Sequence, residues 1–291
     1  MKRFIVFLMV CMLLLGVNHL ALAEEKSVIN ILLLGTDDLG YEISGEEEMS
    51  RADAIYVLNL HSDTGAVKLL SVERDYLVTL PDGNGENKLA TATYFGGPEL
   101  CMSEVNELLN LKIDKYIQID ITRLIEAVDA IGGLEVEVFE EEVEEVNSFI
   151  DGILSYYGLK HVKAGMNLLN GPETWAFIGV RNNDIDNIES NTQRNNRQQR
   201  AVKAGLAKLA EISLDEALDV IDKVLPHVKT NITMGEIITL TQDVQANDAE
   251  KFIYKRSPIT PFSRQRAGFH QVVVADNMEE EISAVHAFLF E

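Results

Sequence analysis

The chain has 291 residues, in which 47 acidic side chains outnumber 25 lysine and arginine side chains, so the formal net charge at pH 7 is −22. This balance argues against nucleic-acid binding and against broad electrostatic adhesion to anionic lipid. The length is sufficient for one large domain or two small ones. Because the sequence contains no Pro/Gly/Ser-rich linker, repeat or low-complexity run, a single domain over residues 28–291 is predicted.

The N-terminus predicts export. Basic residues 2–3 precede an apolar run over 4–17, and Ala21-Leu22-Ala23 gives the small-x-small pattern that precedes signal-peptidase cleavage. The run stops at Asn18, short of the roughly 20 apolar residues that a spanning helix needs. We therefore predict a cleaved signal peptide over 1–23, with an uncleaved membrane anchor as the alternative. Either location is extracytoplasmic.

Cysteine usage excludes two kinds of site. Cys11 lies in the leader and Cys101 is the one cysteine of the mature sequence. A disulfide within the mature chain and a cysteine-based metal site are therefore excluded, so an ordinary core must provide stability.

Alternating strand and helix patterns follow in chain order. The apolar run over 28–35 predicts a strand buried on both faces. Two further predicted strands, 54–60 and 66–72, are joined by turn residues, which favours a hairpin. The next predicted elements are a helix over 104–111, a strand over 116–120, a helix over 122–131 that ends at Gly132-Gly133, and a strand over 134–138.

The second half continues the alternation. Asn170 is predicted to cap a helix running toward Val180, because a proline and an N3 glutamate follow it. Ser190, Asn191 or Thr192 is predicted to cap a helix that reaches about residue 209. Helices over 214–224 and 234–245, strands over 251–256 and 270–275, and a last helix from about 278 complete the pattern. The fold class is α/β, with a sheet between helical layers.

Charge is unevenly distributed. Acidic runs over 46–48 and 140–145 are predicted to be solvated loops or helix faces. Against this background, four arginines lie between 181 and 200: Arg181, Arg194, Arg197 and Arg200. Their density indicates an anion site, and salt bridges to neighbouring acids are the alternative.

Candidate site residues gather near strand ends. Asp37 follows the first strand, at the end where open α/β sheets bind ligands, although a capping turn is the simpler interpretation. Arg51 and Asp53 are two apart and are predicted to share a strand face. Arg74-Asp75 follows the neighbouring strand. These residues either form exposed ion pairs worth up to about 1 kcal/mol or hold a divalent cation and phosphate oxygens.

The helix after residue 190 carries a more specific pattern. Arg194, Arg197 and Gln198 share one face by their spacing, at positions predicted to lie in the first turns, where the helix dipole favours an anion. The face becomes apolar at Ala201 and Val202. Arginine forks beside an apolar slot suit a ligand with a phosphate head and a lipid tail, and a surface helix paired to acids is the alternative.

These segments together resemble successive motifs of the LytR-CpsA-Psr family. The motifs, in order, are Asn30–Asp37, Ser50–Asp53, Leu70–Asp75, Lys88 with Tyr94–Gly97, Ile113–Tyr116, Val128–Gly133, Leu169–Gly171, Arg194–Gln199 and Thr230-Asn231. No single motif is decisive, but the ordered set runs from about 28 to 245.

The resemblance implies an α-β-α sandwich with a central mixed sheet and an apolar slot for a polyprenyl chain. It further implies an Mg²⁺- or Mn²⁺-dependent phosphotransferase that moves a teichoic acid- or capsule-like glycopolymer from polyprenyl pyrophosphate to peptidoglycan, at the outer face of the membrane and associated with the cell wall. Implied metal ligands are Asp37 and Asp53. Implied pyrophosphate contacts are Arg51, Arg74, Lys88, Arg181, Arg194, Arg197 and Gln198, and the implied catalytic residues are Arg74, Asp75, Arg181 and Arg194.

Three positions depart from the family pattern. Gly179 stands where the family often has an arginine, Asn191 where it often has an aspartate, and Ala90 where an asparagine is expected. These departures leave two other hypotheses open: a catalytically weakened protein that binds polyprenyl pyrophosphate or regulates wall assembly, and a pyrophosphatase that uses water. An unrelated exported α/β domain is the fourth hypothesis.

Overall fold

The computed structural model describes residues 28–36, 50–61, 64–153, 158–180, 188–211, 228–233, 235–236, 252–268 and 270–291. Within them the strands are β1 (Val28–Thr36), β2 (Ala52–His61), β3 (Val67–Val72), β4 (Leu77–Leu80), β5 (Gly85–Lys88), β6 (Lys115–Asp120), β7 (Leu134–Val138), β8 (Gly165–Leu169), β9 (Lys229–Thr230), β10 (Phe252–Ser257), β11 (Phe262–Ala267) and β12 (His270–Ala275). The helices are α1 (Ala92–Leu109), α2 (Ile121–Ala130), α3 (Glu140–Ile153), α4 (Gly171–Gly179), α5 (Ile188–Glu211) and α6 (Met278–Phe290).

A six-stranded mixed sheet forms the centre, in the order β10-β3-β2-β1-β6-β9. The strands β1 and β6 are parallel, as are β3 and β10, whereas β2 is antiparallel to both of its neighbours. Residues 31–34 of β1 have no exposed surface, as expected for a central strand that is covered on both faces. The predicted α/β class and mixed central sheet are confirmed.

Two apolar clusters cover the two faces of this sheet. Alternate residues of β1 divide between them: Ile31 and Leu33 pack with α2 to α5, whereas Leu32 and Leu34 pack with α1, α6 and the β4 and β12 strands. We call the first face the α5 face and the second the α1 face. Period-two alternation of a fully apolar strand therefore supplies both cores at once.

Several strands end at one edge of the sheet. The parallel strands β1, β3, β6 and β10 have one direction because β2, between β1 and β3, is antiparallel to both. Their carboxyl ends, together with the start of β2, therefore meet at the same edge. Polar residues that follow these strands, such as Arg74 after β3, are brought to that edge by the topology alone.

The C-terminal part differs from a simple continuation of the alternating pattern. The β10 strand joins the central sheet as an edge strand, but β12 pairs with β11 in a separate two-stranded sheet. The β4–β5 hairpin, β8 and β11 have no clear signal in the sequence, because they are short and only partly buried. Predicted helices over 214–224 and nearly all of 234–245 lie outside the described residues, as does the predicted leader.

The acidic run over 140–145 is not simply the solvated face that its charge predicts. It forms the start of α3, and Glu142 is only 4% exposed. Its carboxylate accepts a hydrogen bond from the backbone N–H of Phe139 and contacts Arg197 and Arg200 of α5. The alternation of charge and apolar residues in this helix buries one acid beside Val146 while its neighbours Glu141 and Glu144 stay exposed.

No helix in the described part of the chain combines the length and the apolar character needed to cross a membrane.

Candidate functional site

A β-bulge lies at Asp53, near the start of β2, at the edge of the sheet where β1, β3, β6 and β10 end. Gly35 pairs with Ala54 and Thr36 pairs with Ala52, so Asp53 is an extra residue between the two pairs. Bulges of this kind redirect side chains and are common beside active sites. The prediction that Arg51 and Asp53 share a face assumed strict alternation, and the bulge breaks that alternation, because Ala52 packs on the α1 face whereas Ala54 packs on the α5 face.

Four of the predicted site residues form one chain of charges. Arg74 Nη1 lies 2.5 Å from Asp53 Oδ1, and Arg74 Nε lies 3.8 Å from Asp75 Oδ1. Lys88 Nζ lies 2.8 Å from the same Asp75 oxygen. Their side chains are 18–28% exposed, so the cluster is accessible to a ligand while the ion pairs hold its side chains in place. Arg51 is exposed and lies two residues before Asp53.

Backbone hydrogen bonds fix the segment that carries Arg74 and Asp75. The Arg74 carbonyl accepts from Ala90 N–H at 2.9 Å, and the Asp75 carbonyl accepts from Val273 N–H at 2.8 Å. Lys88 reaches Asp75 because the β4–β5 hairpin returns the chain and pairs Lys88 with Leu77. The hairpin thereby brings Lys88, thirteen residues away in sequence, to the Asp75 carboxylate.

A second group lies on the α5 face of the sheet. Arg194 and Gln198 of α5 are 1% and 3% exposed, and the Tyr56 hydroxyl donates a hydrogen bond to Gln198 Oε1 at 3.3 Å. Burial, followed by the neighbouring Tyr254, raises the pKa of Tyr56, while Arg194 and Arg256 act in the opposite direction. Tyr56 is therefore a neutral hydrogen-bond donor at physiological pH, and it links the sheet to the predicted pyrophosphate contact Gln198.

Arg197 has a different environment from the one predicted. It is 1% exposed, donates a hydrogen bond from Nη2 to the Val180 carbonyl at 2.9 Å, and lies 3.6 Å from Glu142 and 3.7 Å from Glu145. Burial lowers the pKa of Arg197, and the two glutamates counteract this. Salt bridges to neighbouring acids, the alternative that the sequence left open, thus describe this arginine, and a contact with pyrophosphate remains a prediction.

Arg200, which is partly exposed, contacts the same acid as Arg197. Its guanidinium contacts Glu142 Oε1 at 2.5 Å and the Glu137 carbonyl at 2.5 Å. It also lies over the Phe139 ring, 4.0 Å from the centroid. The cluster of Arg197, Arg200 and Glu142 therefore anchors α5 to α3.

The start of α5 corrects the predicted capping. Ser190, Asn191 and Thr192 all lie inside the helix, which begins at Ile188. Arg194 is six residues beyond that start, where backbone N–H groups already have helical partners. The argument that the helix N-terminus helps Arg194 to bind an anion is therefore wrong, because the dipole effect is confined to the first turn.

Two predicted site residues, Asp37 and Arg181, lie outside the described residues. Within the described ranges, no group of three or more His, Cys, Asp or Glu side chains could form a metal cage. Gly179, one of the three positions that depart from the family pattern, is buried at the end of α4.

Sequence patterns do not single out Tyr56 or Arg256. Tyr56 is one of many residues in an apolar strand, and only its pairing with α5 distinguishes it. Arg256 occupies the end of β10, so its position at the end of a predicted strand is the one available signal.

Comparison with known proteins identifies the family of this chain. The sequence pattern of the LytR_cpsA_psr family matches residues 16–282. The chain belongs to the LytR-CpsA-Psr family. A relative in Oceanobacillus iheyensis, named polyisoprenyl-teichoic acid–peptidoglycan teichoic acid transferase TagU, is 28% identical over 226 residues, which is 75% of this chain and 63% of the relative. An uncharacterised protein of Staphylococcus aureus is 30% identical over 229 residues, which is 78% of this chain and 54% of that protein. The chain thus matches somewhat over half the length of these relatives.

Solved structures of the family share the fold. Bacillus subtilis TagV aligns with a TM-score of 0.66 at 23% identity, covering 91% of this chain and 98% of that one. A TagT structure with bound octaprenyl pyrophosphate lipid aligns with a TM-score of 0.66 at 17% identity, covering 99% and 97% of the two chains. The predicted family membership is confirmed, and the mixed α/β fold matches that of these proteins.

Proposed function

We propose that this LytR-CpsA-Psr protein is an extracytoplasmic phosphotransferase that moves a phosphate-linked glycopolymer from a polyprenyl-pyrophosphate carrier to peptidoglycan. The observation that carries the proposal is the chain of charges from Asp53 through Arg74 and Asp75 to Lys88, at the edge of the sheet where β1 and β3 end. Relatives named as teichoic acid–peptidoglycan transferases, and the octaprenyl pyrophosphate in the TagT structure, give the substrate class.

The cluster is suited to a pyrophosphate because cations and carboxylates alternate within it. The Arg74 fork and the Lys88 ammonium can donate charge-assisted hydrogen bonds to phosphate oxygens. Asp53 and Asp75 hold these cations in place, and each acid remains partly exposed. Gln198 and Arg194 would bind the same head group from the α5 side, with the polyprenyl chain in an apolar slot beside α5.

The donor set also fits Mg²⁺ or Mn²⁺. Mg²⁺ prefers one or two carboxylates completed by water and substrate phosphates over a full protein cage. Asp53, a partly exposed carboxylate displaced by the bulge, provides such an oxygen ligand, with Asp37 as its proposed partner. When bound, the cation would neutralise charge on the phosphates.

The reaction is an in-line displacement at phosphorus. A hydroxyl oxygen of peptidoglycan forms a new bond to the sugar-linked phosphorus, the bond from that phosphorus to the bridging oxygen breaks, and polyprenyl phosphate leaves while the hydroxyl proton passes to a base. The protein contributes mainly by positioning both phosphates and stabilising the charge that develops on the leaving phosphate, which is the role of Arg74 and Lys88.

The partners and the location follow from the same proposal. The donor is a polyprenyl-pyrophosphate-linked glycan, the acceptor is peptidoglycan, and the site of action is the outer face of the membrane. The sequence pattern of the first 23 residues supports an exported chain, either secreted or anchored at its N-terminus.

Replacement of Arg74 tests the proposal. The assay measures transfer of a radiolabelled glycan from a polyprenyl-pyrophosphate donor to peptidoglycan in Mg²⁺. Arg74→Ala should lower the rate by about 100-fold or more, since removing one preorganised donor to the transition state has effects of this size. Arg264→Ala, which removes an exposed arginine from the separate β11–β12 sheet, is the matched control and should leave the rate unchanged.

The outcomes distinguish the three candidate functions. Equal turnover by wild type and Arg74→Ala would remove the site assignment. Tight binding of the donor without product, whatever the acceptor or metal, would select the binding or regulatory protein that Gly179 and Asn191 suggest. Release of glycosyl phosphate without an acceptor, and no transfer when one is present, would select a pyrophosphatase.

A further inference from the structure

A row of residues crosses three strands on the α5 face. Tyr56 of β2 is directly opposite Ser71 of β3, and Ser71 is directly opposite Arg256 of β10. Directly opposed residues on neighbouring strands project from the same face of a sheet. Arg256 therefore lies on the face that carries Tyr56, whose hydroxyl bonds to Gln198 of α5.

Arg256 and Arg194 act on the same pair of buried tyrosines. Burial is the main cause that raises the pKa of both Tyr56 and Tyr254, and both arginines oppose it through their positive charges. One arginine comes from the helix and the other from the edge strand. Two guanidinium groups therefore approach the same part of the α5 face from different elements.

The Arg256 guanidinium is oriented rather than loose. Its Nη2 donates a hydrogen bond to Glu73 Oε2, and the Glu73 side chain is 7% exposed whereas that of Arg256 is 32% exposed. Glu73 immediately precedes Arg74, so the acid that holds Arg256 belongs to the segment that carries the charged cluster. A guanidinium has five N–H donors, so an ion pair through Nη2 leaves donors for a second anion.

The backbone next to Arg256 is fixed by α6. The Ser257 hydroxyl donates to Glu281 Oε1 at 2.6 Å and lies 3.1 Å from the Tyr76 hydroxyl, and the Ser257 carbonyl accepts from Glu73 N–H at 3.0 Å. Glu281 has no exposed surface. The end of β10 and the Glu73–Tyr76 segment are therefore held as one unit, which fixes the position of the Arg256 backbone relative to that of Arg74.

We infer that Arg256 is an additional anion-binding residue of the pyrophosphate site. The inference rests on the proposed function. Arg256 supplies a guanidinium near the carboxyl end of β10, at the edge of the sheet where β1 and β3 also end. The ion pair with Glu73 orients Arg256.

Binding of octaprenyl pyrophosphate in detergent, measured by isothermal titration calorimetry on the full chain, tests this role. Arg256→Ala should weaken binding about tenfold, the effect of losing one charge-assisted contact. Arg256→Lys should give an intermediate loss, because the charge remains but the planar fork is absent. Inorganic pyrophosphate should show the same order of affinities, since Arg256 is assigned to the anion and not to the lipid chain.

Lys255→Ala is the matched control. Lys255 is the neighbouring cation on β10, and it projects to the opposite face, where its ammonium lies 5.2 Å from the centroid of the Phe288 ring. Its removal changes the net charge by the same amount and should alter the affinity less than twofold.

Loss of the ion pair could also affect folding, so a second variant is needed. Glu73→Gln combined with Arg256→Gln removes both charges together and leaves neither of them without a partner. Thermal unfolding identifies which variants retain the fold. If Arg256→Ala does not fold, the affinity of the double variant is the test. Wild-type affinity in a folded double variant, or in a folded Arg256→Ala, would overturn the inference.

The proposed function and this inference fail in different ways. If the wild type does not bind octaprenyl pyrophosphate, both are overturned. If the wild type binds and Arg74→Ala weakens binding, while Arg256→Ala does not, the proposed function stands and only the role of Arg256 is lost.

Discussion

At the scale of single residues, the two buried arginines of α5 differ in what surrounds them. Arg194 interacts electrostatically with Tyr56 and Tyr254 on the α5 face, and Arg256 interacts with the same two tyrosines. Arg197 is directed to the Val180 carbonyl and to the acids of α3. A spacing of three residues places both on one helix face, but the acid that Arg197 meets is visible only in the folded chain.

Glu142 should therefore be a major determinant of stability. Glu142→Ala removes the acid that Arg197 and Arg200 share and leaves the buried Arg197 guanidinium with the more exposed Glu145, and breaking a buried ion pair destabilises a protein by about 3 kcal/mol. The free energy of unfolding in urea measures the effect. Glu141→Ala, an exposed acid one residue away, should change it by less than about 0.5 kcal/mol. Equal effects of the two substitutions would contradict the structural role of Glu142.

At the scale of elements, a close contact between helices explains a glycine of the family-like pattern. Gly171 is the first residue of α4, and its backbone N–H donates to Asp129 Oδ1 at 2.7 Å. A Cβ at this position would lie 2.3 Å from the Ile125 carbonyl oxygen of α2. Glycine is required here by space, because no side chain fits between the two backbones.

Two glycine-to-alanine substitutions should have opposite effects. Gly171→Ala should destabilise the chain by about 1–3 kcal/mol, since the blocking atom belongs to the backbone and cannot rotate away. Gly152→Ala in α3 meets no atom within 4 Å and should stabilise by up to about 1 kcal/mol, because alanine is the better helix former. Thermal and urea unfolding of both variants measure the difference. Destabilisation by both would show that the α3 position is also constrained.

At the scale of the whole molecule, the net charge of −22 sets the response to salt. Like charges repel each other across a compact chain, and added salt screens them. Raising NaCl from about 10 to about 150 mM should raise the melting temperature by roughly 2–4 °C, the shift that about 1 kcal/mol gives in a chain of this size.

MgCl₂ at equal ionic strength is the comparison that separates screening from binding. An additional rise in the melting temperature that Asp53→Asn abolishes would support a cation at Asp53. A melting temperature that falls with NaCl would show that attractive ion pairs outweigh the net repulsion.

Local patterns determined much of the architecture. The continuous apolar run of β1, the β2–β3 hairpin, the Gly132-Gly133 end of α2 and the Asn170 capping box are all found where the sequence predicts them. Each depends on interactions within a few residues, so the order of residues along the chain specifies it. The ordered motifs are sufficient by themselves to indicate the family, because they follow one another in the same order as in the family and span most of the chain.

Features that join residues far apart in sequence are visible only in the folded chain. The bulge at Asp53 is a property of pairing between β1 and β2, the delivery of Lys88 to Asp75 depends on a hairpin without a strong sequence signal, and the start of α5 lies upstream of every predicted cap. The sequence by itself determined the longer strands of the central sheet, the family and the candidate cationic side chains. Only the tertiary structure decided which cations share a site and which are neutralised by buried acids, because such contacts join residues far apart in sequence, whose distances no local pattern encodes.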